Sequence, residues 1–312
     1  AGAAGNLYGD YCRLRGTIAP VNPGSPVINF ALNLPAQWNR KTIHFGGGGF
    51  NGTLIDGTEP IRFGPAGKPA PLALGYATYG SDSGHQASSI TDGKFARDDE
   101  ALANYGGQAL KKTRDVAQQL VQLFYGEKPA HAWFLGTSTG GRDGLAYIQR
   151  WPLDYDGLIA NEPALNYSGT RLSNVALGRA LYDNGGTGWL NLAKTLRVQQ
   201  AALAACDALD GAKDGIVSNV ESCRLLNTQL LDSLRCPGGA DTGNTCLSDA
   251  QLATVRVIES PLQLSYPLAG GVQVAGGYNL LQGALVAGPH TTRDLRTRPG
   301  PGHPAPSAAA NM

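Results

Sequence analysis

The stretch "GTSTGGRDG", residues 136–144, decides how the chain is read. Glycines stand two places either side of Ser138, a short apolar run "HAWFLG" (131–136) precedes it, and a helical pattern over 142–151 follows, halted by Pro152. A strand that turns sharply through glycine into a helix pushes the residue at the bend out above the sheet edge. There the helix dipole and unpaired N–H groups favour developing negative charge. Ser138 is therefore the candidate nucleophile, with the Thr139 N–H as one donor to a tetrahedral oxyanion. The five-residue pattern alone reads better as a plain glycine turn; the flanking strand and helix give it chemical meaning.

Working outward, "VINFALNLP" (27–35) alternates as a strand ended by Pro35, and "KTIHFGGGGFNG" (41–52) is a strand running into a glycine loop. "LALGYATYGSDSGH" (72–85) is a further strand closing in a polar turn, and "DGLIANEP" (156–163) another. From Asp98 to Phe124 apolar residues recur at helical spacing until Gly126 ends the helix. Strands alternating with helices predict an α/β class, a doubly wound, mainly parallel sheet covered on both faces. The Gly46–Gly49 run offers close backbone approach and a second N–H for an oxyanion. As a phosphate cradle it lacks both the Lys-Ser/Thr that follows such loops and a GxGxxG leading into a helix.

The chain has 312 residues and a formal net charge of +1, with 16% charged residues, 42% hydrophobic residues and 43 glycines. Without a basic stripe, nucleic acid and anionic membranes are poor partners. No apolar stretch approaches the ~20 residues of a spanning helix, so no membrane insertion is expected. The only methionine is Met312, so the start reads as processed, by signal-peptide removal or by clipping.

After Asn166 short helical patterns and cysteines replace the strand–helix rhythm. Four of the five cysteines, Cys206, Cys223, Cys236 and Cys246, fall close together. That spacing favours two local disulfides and an oxidising compartment over zinc, with buried free thiols as the alternative. "CDALDGAKDGIVSN" (206–219) gathers Asp207, Asp210 and Asp214 in a loop bent by Gly211 and Gly215. Crowded carboxylates with oxygen-only donors point to Ca2+; the plain alternative is a solvated, helix-capping turn. A disulfide between the flanking cysteines would staple this loop.

Several long motifs in order resemble the tannase and feruloyl esterase family, which also contains bacterial mono(2-hydroxyethyl) terephthalate hydrolases. They are "YCRLRGTIAPVNPGSPVINFALNLPAQWN", "HFGGGGFNGTL", "SDSGH", "GTSTGGRDGLAYIQRWPLDYDGLIANEPA" and "ACDALDGAKDGIVSN". The likeness runs from Tyr11 to about Gly271. It implies an α/β-hydrolase fold with a lid inserted after the nucleophile half of the sheet. By the same likeness Ser138 is the nucleophile, and the N–H groups of Thr139 and Gly47 form the oxyanion hole. Structural Ca2+ would be held by the side chains of Asp207, Asp210 and Asp214 and the carbonyls of Ala212 and Ile216. The implied disulfides are Cys206–Cys223 and Cys236–Cys246, while the counterpart of Cys12 pairs with an upstream cysteine absent here.

Two departures stand out. Thr137 occupies a position where many members carry a cysteine that staples the serine segment to the histidine segment. No match to the family's C-terminal triad Asp and His follows the lid. His44, His85 and His131 precede the nucleophile, contrary to the chain order of this fold, and His85 reads as structural. His290 and His303 lie in or beside a Pro/Arg/Ala-rich stretch unable to hold them rigidly.

The resulting expectations are residues 1–165 as the N-terminal part of the core, 166–288 as a partial lid, and 289–312 as a disordered, foreign or frameshifted tail. The C-terminal part of the core is expected to be missing. The expected function is a secreted or periplasmic serine esterase that hydrolyses small feruloyl- or galloyl-type phenolic esters through an acyl-enzyme. The alternatives are an inactive truncated hydrolase or calcium-stabilised scaffold, and a related lipase or polyester hydrolase. Poor activity and stability are expected of the chain itself.

Overall fold

A computed structural model describes residues 7–284. The tail expected from 289, with His290 and His303, lies outside the described residues. The chain divides into two units between Leu165 and Asn166.

The first unit is built on a six-stranded sheet of β1 (Tyr11–Ile18), β2 (Ile28–Pro35), β3 (Lys41–Phe45), β4 (Ala77–Ser81), β5 (His131–Thr137) and β6 (Gly157–Asn161), ordered β1-β2-β4-β3-β5-β6. From β4 to β6 the pairings are parallel, whereas β1–β2 and β2–β4 are antiparallel. The sheet is thus mixed, with its parallel half carrying the serine bend. β1 lies outside the sequence reading: Leu14, Gly16 and Ile18 alternate with the more exposed Arg13, Arg15 and Thr17, but this face includes a glycine and is only half-buried, so its apolar signal is weak. The apolar start of the 72–85 segment is a 3-10 turn, Pro71–Leu74, with the strand beginning only at Ala77.

The helical stretch from Asp98 is also interrupted. Asp98 caps α1 (Asp99–Ala103) by accepting from the Ala101 N–H, and α2 (Ala109–Tyr125) ends at Gly126 in the left-handed region. Between them Asn104–Gln108 forms a π-type turn in which Gly107 takes φ 123°. α3 (Thr139–Arg150) follows the serine bend directly.

Alternation along the strands sorts the core. Leu32, Leu34, Ala77 and Tyr79 pack against Ala117 and Val121 of α2, while Phe134 packs on Leu110 of α2 and Tyr147 of α3. His44 bridges the two groups, stacked on Tyr79 and edge-on to Phe134. Ile43, Phe45 and Leu135 point the other way, beneath Ile55 and Tyr76. Among the described residues α2 and α3 therefore cover one face of this sheet and loop side chains cover the other.

The second unit has its own core. Its elements are α4 (Tyr167–Gly186), α5 (Leu192–Cys206), α6 (Val220–Arg224), α7 (Asn227–Leu234), α8 (Asp249–Glu259) and a small antiparallel pair, β7 (Pro261–Gln263) with β8 (Val274–Gly276). Val198, Cys206, Cys223, Leu234, Leu247, Leu252 and Val255 form its centre. Disulfides Cys206–Cys223 and Cys236–Cys246 are formed, and Cys12 on β1 is free and exposed. The Ser248 hydroxyl and Gln251 side chain close a capping box at the start of α8.

Candidate active site

Ser138 stands at the end of β5 with φ 60° and ψ −117°, a conformation that L-residues rarely adopt. Its backbone is tied on three sides. The N–H donates to the Asn161 carbonyl at 3.0 Å, and the carbonyl accepts from Ala164 at 3.0 Å and Arg142 at 3.1 Å. The residue itself is exposed, and its hydroxyl has no hydrogen-bond partner among the described residues. A strained backbone held this firmly presents the oxygen to solvent instead of folding it into the protein.

The glycines around it are steric necessities. A methyl group at Gly141 would fall 2.8 Å from the Asn161 carbonyl oxygen, and one at Gly140 would fall 2.7 Å from the Gly47 carbonyl oxygen. The second approach joins the serine bend to the Gly46–Gly49 loop, although some ninety residues separate them in sequence.

That loop is anchored at its two ends. Gly46 N–H donates to Leu135 at 2.8 Å, Phe50 N–H to Ile90 at 2.6 Å, and Asn51 N–H to the Gly48 carbonyl at 2.8 Å. The Gly49 carbonyl accepts from the Thr139 hydroxyl at 2.8 Å and from the Tyr105 hydroxyl at 2.9 Å. Gly49 has φ +57°, and a side chain there would meet Ile90. What remains uncommitted among the described hydrogen bonds is the set of N–H groups of Gly47, Gly48 and Gly49. The Thr139 N–H opens α3 and has no intrahelical partner. Uncommitted donors from two segments that meet at the Gly140–Gly47 approach are of the kind an oxyanion requires.

Charges nearby are paired. Arg142 holds Asp143 through Nη2 at 2.5 Å and Nε at 3.2 Å, and its guanidinium lies 4.5 Å from the centre of the Tyr105 ring. Burial pushes the Asp143 carboxyl up to about 6, against the pull of Arg142.

No described histidine bonds to Ser138. His44 is fully buried, with Nδ1 2.6 Å from the Tyr155 hydroxyl; burial, aided by the Arg114 charge, pulls its pKa down to about 3. His85 is buried and stacked 3.9 Å from Phe95; burial lowers its pKa while the Asp82 charge opposes the shift. His131 is exposed beside Asp156, 3.6 Å away. All three lie upstream of Ser138, and none occupies a general-base position.

In the second unit Asp207, Asp210 and Asp214 do share one loop. Asp207 accepts from the N–H groups of Asp214 and Gly215, Asp210 from those of Ala212 and Ser218, and Asp214 from that of Ile216. The Ala212 and Ser218 amides hold the Asp210 carboxyl below the usual carboxylate range. Among the described residues no three acidic, histidine or cysteine side chains are gathered at metal-holding spacing. The donors are chemically right for a hard cation, but here they close the loop on its own amides.

Tyr105 is the site residue that sequence reading overlooked. The available signal was the pair Gly106-Gly107, which interrupts the helical pattern of 98–124.

The parallel strands, sharp serine bend and adjoining glycine loop define an α/β-hydrolase fold. The sequence profile of "Tannase and feruloyl esterase" matches residues 12–312, and the chain belongs to that family. It is 42% identical over 284 residues to an uncharacterised esterase of Agrobacterium fabrum, covering 90% of this chain and 51% of the relative. It is 30% identical to the mono(2-hydroxyethyl) terephthalate hydrolase of Piscinibacter sakaiensis, covering 79% of this chain and 45% of that one. An esterase from Aspergillus oryzae superposes with a TM-score of 0.68 at 26% identity, over 88% of this chain and 52% of its own. Feruloyl esterase B from the same organism shares the fold, with a TM-score of 0.71 at 23% identity, over 88% and 53%. The chain spans about half the length of the curated relatives it matches.

Proposed function

We propose that this protein hydrolyses carboxylic esters of aromatic acids, of the feruloyl or galloyl type, through an acyl-enzyme on Ser138. The observation that carries this reading is the exposed Ser138 at φ 60° beside the uncommitted N–H groups of the glycine loop. The Ser138 oxygen attacks the ester carbonyl, and the Thr139 and Gly47 N–H groups receive the oxyanion. The alcohol then leaves, and water releases the aromatic acid. Attack requires a base and its orienting acid, and neither is among the described residues. Relatives named as feruloyl esterases and as a terephthalate-ester hydrolase support an aromatic acyl group.

Turnover of methyl ferulate and p-nitrophenyl acetate by the wild type and by Ser138→Ala tests this reading. Serine-dependent hydrolysis with preference for the aromatic acyl group is expected. Hydrolysis that survives the substitution, or none at all, sinks the reading and leaves an inactive scaffold. Preference for aliphatic chains favours a lipase-like enzyme.

Two supporting roles belong to the same proposal. Ca2+ binds the 206–219 loop through Asp207, Asp210 and Asp214 and the Ala212 and Ile216 carbonyls, exchanging amide bonds for metal bonds. It stabilises the second unit, which we assign as lid, and takes no part in the chemistry. The two disulfides support a secreted or periplasmic location, and no described helix is long and apolar enough to cross a membrane.

A further inference from the structure

Four consecutive glycines make a soft loop, because each can rotate its peptide plane at little steric cost. An oxyanion site needs the opposite, donors already aimed before the charge appears. The question is what stops the peptides at Gly46–Gly49 from turning over.

We propose that Tyr105 and the Thr139 hydroxyl are positioning residues that clamp the Gly49 carbonyl and so keep the glycine-loop N–H groups directed at the site beside Ser138. This rests on the acyl-transfer reading above. The two hydroxyls converge on one carbonyl oxygen at 2.9 and 2.8 Å. The N–H of the same Gly49–Phe50 peptide is held by Ile90 at 2.6 Å, so this plane is fixed at both ends. With that peptide fixed and Gly46 tied to Leu135, the uncommitted N–H groups between them have little room to rotate.

The clamp also closes on the serine bend itself. Thr139 directly follows Ser138. Arg142, whose N–H bonds the Ser138 carbonyl, donates through Nη2 to the Tyr105 carbonyl at 3.3 Å and lies over its ring. Tyr105 sits in the π-type turn with Gly107 at φ 123°. Such turns interrupt a helix at a cost and are frequent at functional sites. Phe95 packs on the Tyr105 ring, with centroids 4.9 Å apart, and holds its hydroxyl in place. A circuit from the serine bend through Arg142, Tyr105, Gly49 and Thr139 thus returns to the bend and fixes the loop relative to the nucleophile.

The test uses the whole chain with Tyr105→Phe, Thr139→Val, the double variant and Thr139→Ser as rescue. Amide hydrogen exchange is read at Phe50, whose N–H bonds the Ile90 carbonyl, and at Asn51, whose N–H bonds the Gly48 carbonyl, alongside the denaturation midpoint. Loss of either hydroxyl is expected to speed exchange at these two amides by about five- to ten-fold, more in the double variant, with little shift in midpoint. Thr139→Ser keeps the slow exchange. In Ser138-dependent ester turnover, kcat falls by about ten-fold or more with KM unchanged.

Unchanged exchange in the double variant overturns the clamp, even if Ser138→Ala abolishes turnover. Faster exchange without a fall in serine-dependent kcat overturns its link to the oxyanion. Faster exchange with turnover indifferent to Ser138→Ala leaves the clamp standing and removes the hydrolase reading instead.

Discussion

Gly140 in α3 and Gly47 in the glycine loop approach so closely that a single methyl on Gly140 would stand 2.7 Å from the Gly47 carbonyl oxygen. The two segments that form the candidate site are therefore in backbone contact, and no flexible side chain can yield between them. Gly140→Ala is expected to destabilise the first unit by about 1–3 kcal/mol, the usual cost of overpacking. It should also reduce any Ser138-dependent turnover by displacing the loop. Urea unfolding together with ester hydrolysis checks both, and an unperturbed variant would refute the close approach.

Ser138 holds φ 60° and ψ −117°, which only glycine adopts without strain. Replacing Ser138 by Gly should raise stability by on the order of 1 kcal/mol, since relief of strain outweighs the added unfolded-state freedom. Ser138→Ala keeps a Cβ and gains nothing. A Tm comparison of the two variants reads the bend geometry without relying on activity.

His44 supplies a pH dependence whose sign follows from its burial. The imidazole is held neutral, with its pKa lowered from 6.5 to about 3. A base depressed on folding contributes stability that is fully present above pH 6.5 and is lost as pH falls toward 3. The loss amounts to about a few kcal/mol, because burial, and after it the Arg114 charge, disfavours the imidazolium. His44→Phe should lower stability at neutral pH, since the Tyr155 hydroxyl loses its bond to Nδ1, and should flatten the acid limb between pH 6.5 and 3. Denaturation midpoints across that range decide it; an equally steep limb in the variant counts against His44.

In the second unit, Cys206 and Cys223 close a loop 17 residues apart around the three aspartates. Cross-linking a loop of that length stabilises by about 3 kcal/mol through the unfolded chain. Cys223→Ala with Cys206→Ala should lower the unfolding transition of this unit accordingly. Millimolar Ca2+ should raise the wild-type transition and EGTA reverse it, with the response gone in Asp210→Asn. A transition indifferent to both would remove calcium from the account of the loop.

The serine bend was legible because its determinants are local. A short apolar strand, glycines that allow a tight turn and a following helix all lie within about twenty residues, and steric rules act at that range. The strands 28–35, 41–45, 131–137 and 157–161 were readable for a similar reason, as apolar runs ended by proline or glycine. β1 was not, because its half-buried face of Leu14, Gly16 and Ile18 is a weak apolar signal, and pairing with β2 completes its specification. The π-type turn was also hidden, since helical spacing persists across it.

The sequence alone determined the nucleophile-bearing turn, the glycine loop as a separate motif and the cysteine-flanked acidic loop. Only the tertiary structure decided that β3 lies between β4 and β5, and this placement carries the glycine loop against Gly140. It also decided that Tyr105 and Thr139 meet at one carbonyl and that His44 is sealed beneath Tyr79. The physical reason is range. Backbone sterics and periodicity act over a few neighbouring residues, whereas strand order and buried hydrogen bonds join segments as far apart as His44 and Tyr155, and their geometry is set by packing across the whole sheet.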